Sequence, residues 1–278
     1  MRIRTVLLGA AALLALLAAA LHLGQRALLY FPVRAPEDEA VRAAAREGLS
    51  PWRDGEGRLR GWRLATPPAA PRAVLLVFHG NAGAALDRAH YARSLAPLGV
   101  DVALLEYPGY GARPGRPSLP ALSDAAVEAV DALAREGPPV WLLGESLGSG
   151  VAGRVAAARP ERVRGLLLVT PFADLAAVAR RHYPFIPAWF VRDRYRPELD
   201  LASFLGPAVV LVAGRDEVVG AEQGRRLLDV LPGPRRLLEQ PAATHNGIDL
   251  DSGALWEEAA AFLEAGDRGR RAPPARAR

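Results

Sequence analysis

Short apolar runs that alternate with helix-length segments dominate the middle of this chain. The runs are 73–78 (AVLLVF), 101–106 (DVALLE), 140–143, 163–169 and 209–212, and a last strand is expected at 235–239. A run without polar alternation reads as a strand buried on both faces. Between the runs, 86–98, 121–136, 147–158 and 222–230 read as helices, and 255–265 as a final one. Such alternation predicts an α/β fold, a mostly parallel sheet with helices on both faces. Ahead of it, 37–47 reads as a polar helix and 52–64 as two short strands about a turn at Asp54-Gly55. Residues 173–205 have no strand pattern but contain Tyr183, Phe185, Trp189, Phe190 and Tyr195, and are expected to form a small helical lid.

The N-terminus obeys a different rule. From Thr5 to Gln25 there is no charge, and most residues are Leu or Ala. About 20 such residues cross a bilayer core as a helix. Arg2 and Arg4 precede the run, so the positive-inside bias sets the N-terminus in the cytoplasm and the rest in the periplasm or another extracytoplasmic space. A cleavable signal peptide with a site near Ala18-Ala19-Ala20 is the rival, although the apolar run is long for one. The expected organisation is therefore 1–25 as membrane anchor or signal segment, 26–265 as the α/β domain and 266–278 as a disordered basic tail.

Charge narrows the partners. The net charge is +5, but the two ends carry about six positive charges between them, leaving the middle near −1. A nucleic-acid groove needs cations clustered on the folded domain, and none is apparent. The chain has no Cys, which removes disulfides, Cys-ligated zinc and a Cys nucleophile.

Gly144-Glu145-Ser146-Leu147-Gly148 fits G-x-S-x-G between an apolar strand and a helix, the context that gives the motif its meaning. A serine at the apex of that turn leaves no room for side chains two positions away, hence Gly144 and Gly148. The N–H of Leu147 then opens the helix and can face an oxyanion, which the helix dipole also favours. A second oxyanion donor is expected after the first long parallel strand, at Asn81 in His79-Gly80-Asn81-Ala82-Gly83. His245 is the one histidine after the last strand, where a loop can carry an imidazole over the serine. Asp216 follows the strand 209–212 and can fix the tautomer of His245, with Glu217 and Asp174 as rival acids. His90 is expected at the surface, and His79 is expected to shape its loop.

Together with Glu106-Tyr107-Pro108-Gly109-Tyr110-Gly111, these elements resemble the α/β-hydrolase superfamily over residues 50–265. The nearest likeness is to its small, membrane-anchored branch of abhydrolase-domain serine hydrolases. The resemblance implies an eight-stranded sheet, no metal, no cofactor, and hydrolysis of carboxyl esters, thioesters or lipid acyl groups. Its partners would be an acyl substrate and the membrane, with no nucleic acid. The segment Ala112-Arg113-Pro114-Gly115-Arg116-Pro117 is richer in Arg and Pro than the family pattern. A serine peptidase of the same fold and a non-catalytic, membrane-tethered binding protein are the alternatives.

Overall fold

The computed structural model describes residues 2–271. In chain order the elements are α1 (Arg2–Leu29), β1 (Phe31–Pro32), α2 (Glu37–Arg46), β2 (Leu49–Arg53), β3 (Leu59–Leu64), β4 (Ala73–Phe78), β5 (Ala82–Gly83) and α3 (Ala89–Leu95). They continue with β6 (Val100–Leu105), α4 (Leu119–Leu133), β7 (Val140–Glu145), α5 (Leu147–Ala158), β8 (Val163–Val169) and α6 (Leu175–His182). The last are α7 (Pro197–Asp200), β9 (Ala208–Ala213), α8 (Ala221–Val230), β10 (Arg235–Gln240) and α9 (Gly253–Arg271).

Eight strands form one sheet in the order β10-β9-β8-β7-β4-β6-β3-β2. Every pairing from β10 to β6 is parallel, and the β2–β3 hairpin joins antiparallel at the β6 edge. The hairpin turn is closed by Asp54, whose carboxylate accepts from the N–H groups of Glu56 and Arg58. Strands β4, β6 and β9 are buried at every position, as unbroken apolar runs require. One apolar cluster packs α4 and α5 on one face around Val151 and Leu168. The other packs α3 and α9 on the opposite face around Tyr91 and Trp256.

Apart from shifts of a few residues at element ends, three features differ from the sequence reading. The expected helix 86–98 shortens to α3 with a 3₁₀ turn at either end, since Pro97 cannot continue an α-helix. A two-residue sheet, β1 paired in parallel with β5, ties Phe31 to Ala82 and Pro32 to Gly83. Helix α9 runs past 265, where the tail was expected to begin. Gly266 allows a close approach to Pro207, and buried Asp267 pairs with Arg164 at 2.6 Å. The rest of the expected tail, 272–278, lies outside the described residues.

Helix α1 contains one apolar span, Ile3–Leu29, long enough to cross a membrane, and the protein buries none of its most apolar window. Its C-terminal turns rest on the insertion between β8 and β9, which folds into α6, a 3₁₀ turn at Ala188–Phe190 and α7.

Candidate active site

Ser146 stands between β7 and α5 with φ 49° and ψ −114°, a left-handed conformation that costs a non-glycine residue free energy. The surroundings enforce it. A Cβ on Gly148 would lie 2.0 Å from the carbonyl oxygen of Phe78, and one on Gly144 would lie 2.6 Å from that of Gly148. Only glycines allow the start of α5 to approach the end of β4 this closely. The Ser146 amide donates to Val169 O at 2.9 Å, so the turn is also pinned to β8.

The loops after β9 and β10 are zipped together. Gly214 N donates to Gln240 O and Arg215 N to Ala243 O, each at 2.9 Å. This pairing brings Asp216 and His245 to the same end of the sheet as Ser146. His245 Nδ1 lies 2.7 Å from Asp216 Oδ2, and Nε2 lies 3.0 Å from Ser146 Oγ. Asp216 Oδ1 accepts from the N–H groups of Val218, Val219 and Gly220. Partial burial raises the Asp216 carboxyl, but the His245 hydrogen bond and these amides outweigh it and hold the group below its ordinary value. An ionised carboxylate only accepts, so Nδ1 carries the proton and Nε2 is left to accept from the serine hydroxyl.

The rival acids lie elsewhere. Asp174 caps α6, accepting from Ala176 N at 2.7 Å, and Glu217 accepts from the backbone N–H of His245 at 3.1 Å. Glu217 thus steadies the histidine loop from behind.

Asn81 is held from three sides. Its side-chain amide donates to Leu29 O at 2.9 Å, and its carbonyl accepts from Phe31 N at 2.8 Å and from the Tyr110 hydroxyl at 2.7 Å. Asn81 and Leu147 line the same cavity as Ser146 and His245, a space of about 980 Å³ whose wall is mainly apolar. Among the described residues no cluster of His, Asp and Glu gathers to hold a metal ion.

His79 is fully buried. Its Nδ1–H donates to Gly80 O at 2.8 Å, and Tyr107 donates to its carbonyl. Burial, reinforced by the nearby Arg88 charge, pushes the imidazole down to about 3, so it stays neutral at any working pH and shapes its loop. A histidine whose folded value is depressed binds its proton only on unfolding, so stability drops as pH is lowered from the unfolded value, about 6.5, toward the folded one. The expected slope from His79 is about 1.4 kcal/mol per pH unit. Urea denaturation between pH 4.5 and 6.5 should therefore be flatter for His79→Asn than for wild type. Equal slopes would show that His79 charges in the native state.

Sequence reasoning missed two features. His90, expected at the surface, is half-buried in the cavity wall and packs on Tyr91, with its Nε2 buried and without a hydrogen-bond partner. Burial lowers its basicity. The other is the ion pair that Glu145, the residue before Ser146, makes with Arg88. Arg88 Nε reaches both Glu145 oxygens at 3.1 Å, Nη2 reaches Oε1 at 2.5 Å, and Tyr91 donates to Oε2 at 3.0 Å. Burial drives the Glu145 carboxyl up, yet Arg88 and Tyr91 overcome it and keep the group below its usual value. The signal was present, because an acid at the buried end of an apolar strand needs a cation.

Comparison with known proteins follows the same lines. A family model described as serine aminopeptidase, S33, matches residues 69–205. An uncharacterized protein of Mycobacterium tuberculosis is 36% identical over 242 residues, covering 84% of this chain and 85% of its own length. The lysophosphatidylserine lipase ABHD12 of Macaca fascicularis is 29% identical over 200 residues, 64% of this chain and 50% of that protein, so the match spans half of the lipase. A Pyrococcus furiosus esterase has the same fold, with a TM-score of 0.61 at 15% identity over 86% of this chain and 98% of the esterase.

Proposed function

The chain belongs to the α/β-hydrolase superfamily, in its abhydrolase-domain branch, and on that basis we propose that it cleaves carboxyl-ester, thioester or lipid acyl bonds through an acyl-enzyme on Ser146. The coarser part, a lipase- or esterase-like hydrolase, follows from its relatives. The observation that carries the finer part is the line Asp216–His245–Ser146, with contacts of 2.7 and 3.0 Å.

In this reading Nε2 of His245 takes the hydroxyl proton as Oγ attacks the acyl carbonyl, while Asp216 stabilises the imidazolium. The carbonyl oxygen becomes an oxyanion facing the N–H groups of Leu147 and Asn81, each worth about 3 kcal/mol to the transition state. His245 passes the proton to the leaving group, and a water activated by the same imidazole then releases the acid. No cofactor or metal takes part. The strain at Ser146 favours catalysis over a binding role, since a left-handed serine persists where the surroundings over-determine it for use. Arg2 and Arg4 ahead of the span favour an extracytoplasmic domain held by α1.

The apolar cavity wall favours a long acyl group over a peptide. Each additional methylene buried there contributes about 0.8 kcal/mol, or roughly fourfold in kcat/KM. On a p-nitrophenyl ester series, full-length protein in detergent should therefore climb steeply from acetate to medium chains. A preference for acetate would refute the acyl-cavity reading. Faster turnover of aminoacyl p-nitroanilides than of any ester would favour the peptidase reading, which the description of the matching family model keeps in view.

A further inference from the structure

We infer that the insertion between β8 and β9 is a membrane-docking surface, seated in the headgroup layer of an anionic leaflet at the point where α1 leaves the bilayer. The inference rests on α1 spanning that bilayer, and it does not depend on which residue is the nucleophile.

The register of α1 sets the depth. Counted from Arg4, the last charge before the apolar run, residues 5–24 rise about 30 Å, the thickness of a hydrocarbon core. The far boundary therefore falls between His22 and Gln25. These polar residues, with Arg26, are the ones that grip the insertion. Gln25 Nε2 donates to Phe190 O at 2.9 Å, His22 Nδ1 lies 3.3 Å from the same oxygen, and Arg192 N donates to Gln25 Oε1 at 2.8 Å. Arg26 forms a two-pronged pair with buried Asp193, which also accepts from the Tyr30 hydroxyl at 2.8 Å and the Leu119 amide at 3.3 Å. Residues 190–193 are thus fixed to the one stretch of α1 that must lie at the membrane–water boundary.

The chemistry of the surface suits that depth. Phe185 is 85% exposed, Trp189 72% and Tyr183 58%, a cost in water that an interface removes. From Leu175 to Arg192 there is no Asp or Glu, while Arg180, Arg181 and Arg192 are exposed, as is Arg194 just beyond. Arg194 also braces the loop, donating to Trp189 O and Val191 O. Aromatic side chains ringed by arginine, continuous with a membrane helix, fit a bilayer of acidic phospholipid. The cavity that holds Ser146 is walled on this side by Leu21, Leu28 and Leu29 of α1 and by Tyr183, Phe185 and Phe190. Its mouth would then open against lipid, and a substrate would come from the leaflet rather than from water.

Trp189 supplies the test. Trp62, Trp141 and Trp256 are buried and Trp52 is half-buried, so quenching from the headgroup layer should reach Trp189 above all. Full-length protein would be reconstituted into phosphatidylcholine vesicles, with and without phosphatidylglycerol, doped with phosphatidylcholine spin-labelled near the headgroup. Wild type should lose the share of its emission that Trp189 supplies, and Trp189→Phe should lose almost none. Phosphatidylglycerol should increase the quenching, and Arg180→Gln/Arg192→Gln should remove that increment. Equal quenching of wild type and Trp189→Phe would overturn the docking surface. An increment that survives the arginine double variant would overturn its preference for anionic lipid. Hydrolysis is not read in any arm, so docking can fail while the proposed reaction stands.

Discussion

With Ser146 replaced by alanine, the protein is expected to keep its fold and lose about 10⁶-fold in kcat toward p-nitrophenyl esters. The substitution removes the 3.0 Å hydrogen bond between the hydroxyl and His245, while the backbone bond from the residue 146 amide to Val169 is unchanged. Alanine suffers the same left-handed backbone as serine, so stability should stay within about 1 kcal/mol of wild type. In the proposed mechanism, transition-state stabilisation by the Leu147 and Asn81 amides would remain and leave a small rate above water. A fluorophosphonate probe that labels wild type should leave the variant unlabelled. A variant that still forms the phosphonyl adduct, or hydrolyses esters at the wild-type rate, would remove Ser146 from the chemistry.

Asp216→Asn is expected to lower kcat by about 10⁴ with little change in structure. The reason is orientational. Three backbone N–H groups converge on Oδ1, at 2.7 Å from Val219 and 3.0 and 3.3 Å from Val218 and Gly220. An asparagine must therefore keep its carbonyl oxygen there and turn its NH₂ toward His245 Nδ1. That donor selects the tautomer with a bare Nδ1 and a protonated Nε2, which can no longer accept the Ser146 proton. KM should move little, since the cavity is untouched. Stability follows with a definite sign. The folded carboxyl of Asp216 lies below its unfolded value, so it contributes stability above the unfolded value and loses it as pH falls through the folded one. The stability gap between wild type and Asp216→Asn should accordingly shrink as pH drops below about 4. An unchanged gap, together with wild-type kcat, would show that the carboxylate does not act on His245.

The parts legible in the sequence were those whose physics is local. A strand buried on both faces must be apolar throughout, and β4, β6 and β9 were visible for that reason. Ser146 was legible because its turn admits only glycine two residues to either side. Asp216 and His245 were legible through their position after successive strands. What stayed hidden depends on distant partners. The end of α9 resembled a tail until Asp267 met Arg164, and no local pattern reports that pairing. Strands β1 and β5 have two residues each, too few for any periodicity. Arg88 reads as an ordinary helix-entry residue until β7 delivers Glu145 beside it.

That two-residue pairing reaches further than its length suggests. Because Phe31 and Pro32 are stitched to Ala82 and Gly83, and Leu29 and Phe31 bond to Asn81, the stretch that follows α1 helps set the loop expected to receive the oxyanion. A chain that began just after residue 33 would lose this pairing together with Leu21, Gln25, Leu28 and Leu29, a whole side of the cavity around Ser146.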